Sequence, residues 1–349
     1  MQNTDSDGLI DIAKLDEWLE GQPGVPGEGA VTEFEKLQGG SQNNIYLITR
    51  PGGRFVLRRP PKHLRPNSND TMLREARVLA ALAGSEVPHP AFYAVCSDMD
   101  VIGVAFYLME PIAGFTPMGD LPGSYATDSN WRRRIGLEMV EGAAALAAVD
   151  VQASGLGDFG KPDAWLERQV SRWRSQLEGY SKFEGYGEPD LPGVNRLGDW
   201  LESHRPAQCQ IGIIHGDFQF ANVMFAPDAP KLAAVVDWEL STLGDPLLDL
   251  AWMLTAWWEE GDPEGRGPQL EPWTDMGARS ELIEHYGRVS GRDMSDMPWF
   301  FVLACYKLGI LLEGTYARAC AGKAPKEMGD ALHAYARWLF AKGEQFIAG

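Results

Sequence analysis

The stretch IIHGDFQFANVMF, residues 213–225, places polar side chains between two apolar runs. His215, Asp217 and Asn222 stand where a buried strand would otherwise continue or end. Burying an imidazole, a carboxylate and an amide without hydrogen-bond partners is energetically costly. We therefore expect these side chains to serve a chemical site and to have further polar partners elsewhere in the chain.

One candidate partner lies a short distance downstream. Asp237 lies near the end of the run LAAVVDW, residues 232–238, and follows Asn222 by fifteen positions. A turn containing PDAP separates this run from IGIIHGD, residues 211–217, and the two runs are predicted to form a small hairpin. Such a hairpin can bring Asp217, Asn222 and Asp237 to one edge.

Two carboxylates and an amide at one point form a set of hard oxygen ligands. Mg²⁺ prefers such ligands and keeps other positions for substrate phosphates. One carboxylate would remain to accept the proton of an attacking hydroxyl group. An aspartate, an asparagine five residues later and a second aspartate on the next strand are the arrangement used for phosphoryl transfer. The alternative interpretation is a chance polar turn between two strands.

The first hundred residues begin with a helix and then become rich in strands. Residues 9–20 carry apolar side chains at helical spacing. A second helix is predicted over residues 71–84, capped by Asp70 or Thr71. β-Branched and aromatic runs predict strands at residues 31–37, 43–50, 53–59, 91–98 and 101–110. After the first helix, the order is therefore β-β-β-α-β-β.

Helical spacing dominates after residues 111–114, apart from the predicted hairpin. Helices are predicted over residues 131–149, 162–178, 194–204, 247–258, 278–290, 298–320 and 328–347. Trp252, Trp257 and Trp258 fall at helical spacing and are interpreted as core, with a substrate cage as the alternative.

Composition excludes several classes of protein. The chain has 349 residues, a net charge of −18 and four scattered cysteines. This charge disfavours nucleic-acid binding, which needs a basic surface. It would attract a small cationic substrate, or serve solubility alone. We expect no membrane span, no secretory signal and no zinc site, and a cytoplasmic location; oligomeric state is not predicted.

The pattern H-G-D-x-x-x-x-N, followed by V-V-D-W and G-D-P-L-x-D-L-A, resembles the aminoglycoside phosphotransferase / choline kinase family. The segments VLRRPP, REARVL and FYLME at residues 56–61, 74–79 and 106–110 resemble its acyl-CoA-dehydrogenase-associated kinase-like branch. The resemblance covers roughly residues 30–320. It implies an α+β, protein-kinase-like fold of two lobes, a small β-rich N-terminal lobe over a larger mainly helical C-terminal lobe.

The resemblance also implies a division of the chain and the roles of the central motif. It gives an N-terminal helical extension, a nucleotide-binding lobe, and a catalytic and substrate lobe, at residues 1–27, 28–110 and 111–349. Asp217 would be the catalytic base, and Asn222 and Asp237 would hold Mg²⁺. His215, Asp245 and Asp249 would give structural support, the last two by tying the metal loop to the following helix.

The segment QGGSQNNIY, residues 38–46, occupies the position of the family's phosphate-binding loop. Gly39 and Gly40 would allow the backbone to approach phosphate closely, and Ser41 and Asn43 could donate hydrogen bonds to it. The segment lacks a full G-x-G-x-x-G. The alternative is an ordinary hairpin turn.

Three further residues correspond to the nucleotide site of the family. Arg58 stands where kinases carry a strand lysine, and its helix partner would be Glu75. Arginine binds phosphate and carboxylate in a bidentate manner and is not equivalent to lysine. A surface ion pair of little energetic value is the alternative. Glu110 would lie at the hinge beside adenine.

The resemblance therefore implies an Mg²⁺-dependent enzyme that moves the γ-phosphate of ATP, or of GTP, to a hydroxyl of a small molecule. The branch points to a hydroxy-acid or hydroxyacyl thioester, which needs basic contacts from residues such as Arg132, Arg133 and Arg134. The acidic balance favours an aminoglycoside- or choline-like cation instead. A kinase-like module that binds nucleotide without turnover remains a third hypothesis.

Overall fold

The computed structural model describes residues 8–37, 43–187, 190–262 and 269–348. The predicted phosphate-loop residues Gly39, Gly40 and Ser41 lie outside these ranges. The chain forms two compact units, which are not contiguous in sequence. Unit 1 comprises residues 1–116, 152–156 and 222–241, and unit 2 comprises residues 117–151, 157–221 and 242–349. The predicted boundaries near residues 27 and 110 stay predictions.

An antiparallel sheet of five strands forms the body of unit 1, in the order β1-β2-β3-β5-β4. Its strands are β1 (Glu33–Lys36), β2 (Asn44–Arg50), β3 (Gly53–Arg59), β4 (Phe92–Cys96) and β5 (Phe106–Met109). All five fall within the segments predicted from β-branched and aromatic runs. The prediction is wrong at residues 101–102, which belong to a short helix because Asp98 caps it and Gly103 ends it in the left-handed conformation.

Helices of unit 1 complete its core. They are α1 (Ile12–Glu20), α2 (Ser68–Ala81) and α3 (Met99–Ile102). Leu15 and Leu19 of α1 are fully buried against the sheet, as helical spacing predicted. The α2 helix begins three residues earlier than predicted. Its N-terminal cap position is Asn67, not Asp70 or Thr71, and Asp70 lies in the first turn.

The hairpin near the central motif differs from the prediction. Its strands are β8 (Val223–Phe225) and β9 (Leu232–Val235), which directly flank the PDAP turn and belong to unit 1. The run at residues 211–217 does not pair with β9. Its strand β7 (Gly212–Ile214) pairs instead with β10 (Thr242–Gly244) in unit 2. No short turn joins β7 to β10. Their pairing is therefore determined by tertiary contacts and not by the local sequence.

Unit 2 is mainly helical. Its helices are α4 (Gly123–Thr127), α5 (Ser129–Ala147), α6 (Trp165–Glu178), α7 (Val194–Ser203), α8 (Leu247–Thr255), α9 (Arg279–Ser290), α10 (Met297–Cys320) and α11 (Lys326–Ala348). The seven long segments predicted from helical spacing all form helices, with ends shifted by three residues or fewer. A short parallel pair joins β6 (Gly119–Asp120) to β11 (Leu270–Glu271).

The α10 helix bears on the expectation of no membrane span, which stays a prediction. By length and composition, the α10 helix is apolar enough to cross a bilayer. However, 67% of its most apolar window is buried inside the structure. It packs against α6, α7, α8 and α11, as the core helix of a helical unit does.

Candidate active site

Asn222 and Asp237 both lie at the open end of the β8–β9 hairpin. Asn222 directly precedes β8, and Asp237 follows the end of β9 by two residues. The backbone N–H of Val236 donates to the carbonyl of Asn222 over 2.9 Å. Antiparallel pairing therefore brings two residues that are fifteen positions apart to the same end of the hairpin, and their role as metal ligands stays a prediction.

The backbone of Asp237 is unusual. Its φ is +68° and its ψ is +64°, in the left-handed region that residues other than glycine rarely enter. Aspartate enters this region more readily than most residues, but at some cost in energy. Such conformations cluster where a side chain must be aimed at a functional position. The side chain of Asp237 remains 34% exposed.

Arg58 binds two carboxylates in unit 1. Its Nε lies 2.8 Å from Oε2 of Glu75, and its guanidinium donates to Oδ1 of Asp237 over 2.5 Å. The hydroxyl of Tyr107 also donates to Oε2 of Glu75, over 2.9 Å. Arg58 and Glu75 are buried, so the alternative of a surface ion pair is wrong. The contact with Asp237 was not predicted.

Burial raises the pKa of Glu75 from 4.5 to about 7, although the Arg58 charge and the Tyr107 hydroxyl act in the opposite direction. Between these two values the folded protein keeps a proton that the unfolded chain has lost. The free energy of unfolding should therefore fall as the pH rises from 4.5 to 7.

Glu75→Gln removes this group from the titration, so the variant should gain stability relative to wild type as the pH rises through that window. Urea unfolding at both ends of the window measures the effect. Glu86→Gln changes an exposed carboxylate just beyond α2 and is the matched control. Equal pH slopes in wild type and Glu75→Gln would contradict the prediction.

Asn43 and Glu110 are the remaining described residues of the predicted nucleotide site. Asn43 lines a cavity of about 260 Å³ together with Arg65, Ser68 and Glu239, all of unit 1. Glu110 follows β5, and its backbone N–H donates to the carbonyl of Ala91 over 2.8 Å. At a hinge, Glu110 would therefore present its carbonyl rather than its N–H.

In unit 2, Asp249 organises the loop that carries Asp217. Its Oδ2 accepts from the backbone N–H of His215 over 2.6 Å, and its Oδ1 accepts from that of Gly216 over 2.9 Å. Burial raises the pKa of Asp249, while His215 and the two backbone donors lower it. Nδ1 of His215 in turn accepts from the N–H of Asp217 over 3.3 Å.

The carboxylate of Asp217 is held by two side-chain donors. Nε2 of Gln219 and Nε1 of Trp252 both donate to its Oδ1, over 2.9 and 3.0 Å. Trp252 lies one helical turn after Asp249 in α8, so a single helix supports the loop and orients the carboxylate. Trp257 is fully buried and stacks on Phe220.

Asp245 supports the same helix at its start. Its Oδ1 accepts from the N–H of Leu247, and its Oδ2 accepts from that of Gln210. Arg292 forms an ion pair with it at 2.6 Å. The supporting roles of His215, Asp245 and Asp249 stay predictions. In this structure, Asp249 ties α8 to the Asp217 loop rather than to the loop of Asp237.

Sequence reasoning missed three residues around Asp217, namely Gln219, Trp252 and Lys307. Lys307 in α10 donates to the carbonyl of Gly216 over 3.2 Å. The available signal was that Lys307 carries the single charge in residues 297–312 of that helix. The i, i+3 spacing of Asp249 and Trp252 was the signal for the tryptophan.

Comparison with known proteins identifies the family. A model of the phosphotransferase enzyme family, APH, matches residues 33–285, which is more than half of the chain. The chain belongs to this family. This confirms the resemblance drawn from the H-G-D-x-x-x-x-N and G-D-P-L-x-D-L-A motifs.

Two solved structures confirm the kinase-like fold of this APH-family member. The first is a crystal structure from Ralstonia eutropha, and its name assigns the protein provisionally to the aminoglycoside phosphotransferases. It has 31% sequence identity and a TM-score of 0.81, with 97% of this chain and 98% of that one covered. The GDP complex of aminoglycoside 2′-phosphotransferase-IIIa has 16% identity and a TM-score of 0.62, covering 90% and 94%. At that identity it shows the fold alone.

A curated relative confirms the predicted branch. Acyl-CoA dehydrogenase family member 10 from Mus musculus is 32% identical over 345 residues, which cover 95% of this APH-family chain. The matched part is 31% of the mouse protein. The chain therefore spans about a third of the length of this relative.

Proposed function

We propose that the chain is a small-molecule kinase that transfers the γ-phosphate of ATP or GTP to a hydroxyl group. The observation that carries the proposal is that Asn222 and Asp237 lie at the same end of one hairpin and that Arg58 forms an ion pair with Asp237. Membership of the phosphotransferase family supports it.

Asp217 is proposed to orient the acceptor hydroxyl and to take its proton. The hydroxyl oxygen forms a bond to the γ-phosphorus, and the bond between that phosphorus and the β,γ-bridging oxygen breaks. The electron pair of the broken bond leaves with the nucleoside diphosphate, and the proton passes through Asp217 to solvent. Gln219 and Trp252 hold one carboxylate oxygen and so fix the direction of the other.

Asn222 and Asp237 fit the proposed Mg²⁺. In the described ranges, no three His, Cys, Asp or Glu side chains cluster as a complete protein metal site. An amide oxygen and a carboxylate on one hairpin end suit a cation that takes its remaining ligands from phosphate and water. The metal would neutralise the charge that develops on the phosphates.

A solved structure with the same fold supports the use of a nucleotide, because it shows aminoglycoside 2′-phosphotransferase-IIIa in complex with GDP. The cavity that Asn43 lines has further polar side chains of unit 1 in its wall, including Arg65. The proposal covers both ATP and GTP, since a guanidinium at Arg58 binds the phosphates common to both.

The proposed acceptor is a hydroxy-acid or a hydroxyacyl thioester. The name of the mouse relative, an acyl-CoA dehydrogenase family member, supports this choice. Arg132, Arg133 and Arg134 do not support it. They form ion pairs with Asp275, with Glu281, and with Glu138 and Glu141 respectively. The net charge of −18 favours the alternative class, aminoglycoside- or choline-like cations.

Calorimetry with ATP and with GTP, each with and without Mg²⁺, tests the nucleotide part of the proposal. A screen of hydroxy-acids, hydroxyacyl thioesters, aminoglycosides and choline, followed by nucleoside diphosphate release, tests the acceptor. Mg²⁺-dependent binding with acceptor-stimulated release supports the kinase. Nucleotide binding with no stimulation by any acceptor class would favour a binding module instead.

A further inference from the structure

Lys307 brings a positive charge to the loop that carries Asp217. It lies in α10, whose other residues are mostly apolar, and its side chain is partly buried. Its Nζ donates to the carbonyl of Gly216, the residue directly before Asp217, over 3.2 Å. The same Nζ lies 4.4 Å from the ring centroid of Trp252, within the range of a cation–π contact.

Trp252 lies between Lys307 and the carboxylate of Asp217 and contacts both. The indole N–H donates to Oδ1 of Asp217 over 3.0 Å, while the face of the ring meets the ammonium group of Lys307. A cation over the ring draws electron density from the indole and strengthens the hydrogen bond that its N–H donates. The lysine therefore acts on Asp217 both through the ring and through the backbone of Gly216.

The charged residues around Lys307 favour the protonated, charged form of its side chain at neutral pH. The pKa of Lys307 is lowered to about 8, chiefly by burial and to a smaller extent by Arg172 on α6. Asp249 on α8 and Asp217 on the loop raise it. The two carboxylates therefore stabilise the charged form of Lys307.

We propose that Lys307 is a positioning residue that holds Asp217 in place through Gly216 and Trp252. The inference rests on the proposed function, in which Asp217 acts on the acceptor hydroxyl. A purely structural role, as a counter-charge for Asp249 alone, is the competing explanation.

Three variants separate the two explanations. Lys307→Met removes the charge and keeps the length of the side chain, and Lys307→Arg keeps a charge that does not titrate near pH 8. Trp252→Phe keeps an aromatic ring at this position and removes the indole N–H donor. Lys342→Met is the matched control, since Lys342 also lies 4.4 Å from a tryptophan ring centroid and donates to a backbone carbonyl.

The first readout is Mg²⁺-nucleotide turnover, with water as the acceptor if the screen finds none. Lys307→Met should lower kcat at least about tenfold, because a carboxylate displaced from the reacting hydroxyl loses rate steeply, with little change in KM for nucleotide. Because Lys307 loses its charge above about pH 8, the kcat of wild type is expected to fall there. Lys307→Arg should keep much of the wild-type kcat and should not show this fall. Combining Lys307→Met with Trp252→Phe should cost less than the product of the single losses.

The second readout does not need turnover. NMR titration of lysine labelled at Cε should show Lys307 titrating near pH 8 in wild type. Asp217→Asn should move this titration to lower pH, because it removes a neighbouring negative charge. Asp228→Asn, at the exposed turn of the hairpin, should not move it.

The outcomes distinguish this inference from the proposed function. If Lys307→Met unfolds more easily but keeps the kcat and pH profile of wild type, the positioning role is wrong. An unchanged Lys307 titration in Asp217→Asn would also overturn it. A wild-type protein without turnover whose Lys307 titration moves in Asp217→Asn would refute the proposed kinase and support the coupling of the two residues.

Discussion

Asp217→Asn is expected to lower phosphoryl transfer by a factor of roughly 10² to 10⁴ while nucleotide binding persists. The substitution keeps the size of the side chain and its capacity to accept from Gln219 and Trp252 through the amide oxygen. It removes the carboxylate that is proposed to take the proton of the hydroxyl. The loss should therefore appear in kcat rather than in nucleotide affinity.

Single-turnover release of nucleoside diphosphate measures the chemical step, and calorimetry measures nucleotide binding. Asp228→Asn makes the same chemical change at an exposed position on the hairpin and should leave both unchanged. Turnover near the wild-type rate in Asp217→Asn would remove this residue from the proposed mechanism. Loss of nucleotide binding together with turnover would indicate that the substitution disturbs the fold.

Asp237→Ala is expected to weaken Mg²⁺-dependent nucleotide binding by on the order of 100-fold. The variant loses the carboxylate proposed to hold the metal and leaves the buried Arg58 with Glu75 as its remaining acidic partner. Alanine must also adopt a φ of +68°, a conformation that aspartate tolerates better than alanine does. Stability should therefore fall as well.

Asp275→Ala provides a closely matched control for Asp237→Ala. Asp275 also has a φ of +68° and also binds a buried arginine, Arg132. Its replacement should cost comparable stability and leave nucleotide binding unchanged. Calorimetry with Mg²⁺ and with a chelator measures the binding difference. Equal Mg²⁺-dependent binding in Asp237→Ala and wild type would place the metal elsewhere.

Local patterns predicted most of the secondary structure. The long helices of unit 2 and the strands of the five-stranded sheet were predicted because the spacing of apolar side chains is a property of neighbouring residues. The errors fall where local signals compete. The α2 helix begins at Ser68 without a side-chain cap, and the residues around Asp98 form a short capped helix before β5.

The spacing of Asp217, Asn222 and Asp237 pointed to phosphoryl transfer without any structure. The pairing of strands around them was predicted wrongly, because the run at residues 211–217 joins a strand nearly thirty residues away. Short strands with several possible partners take their pairing from the whole fold.

The sequence by itself determined the family, the helices and the residues of the central motif, since each depends on amino-acid types at short spacing. The tertiary structure decided which groups surround those residues. Arg58 meets Asp237 across 179 positions, and Lys307 meets Gly216 across 91. Contacts at such separations arise from the packing of whole helices and sheets, and no local pattern specifies them.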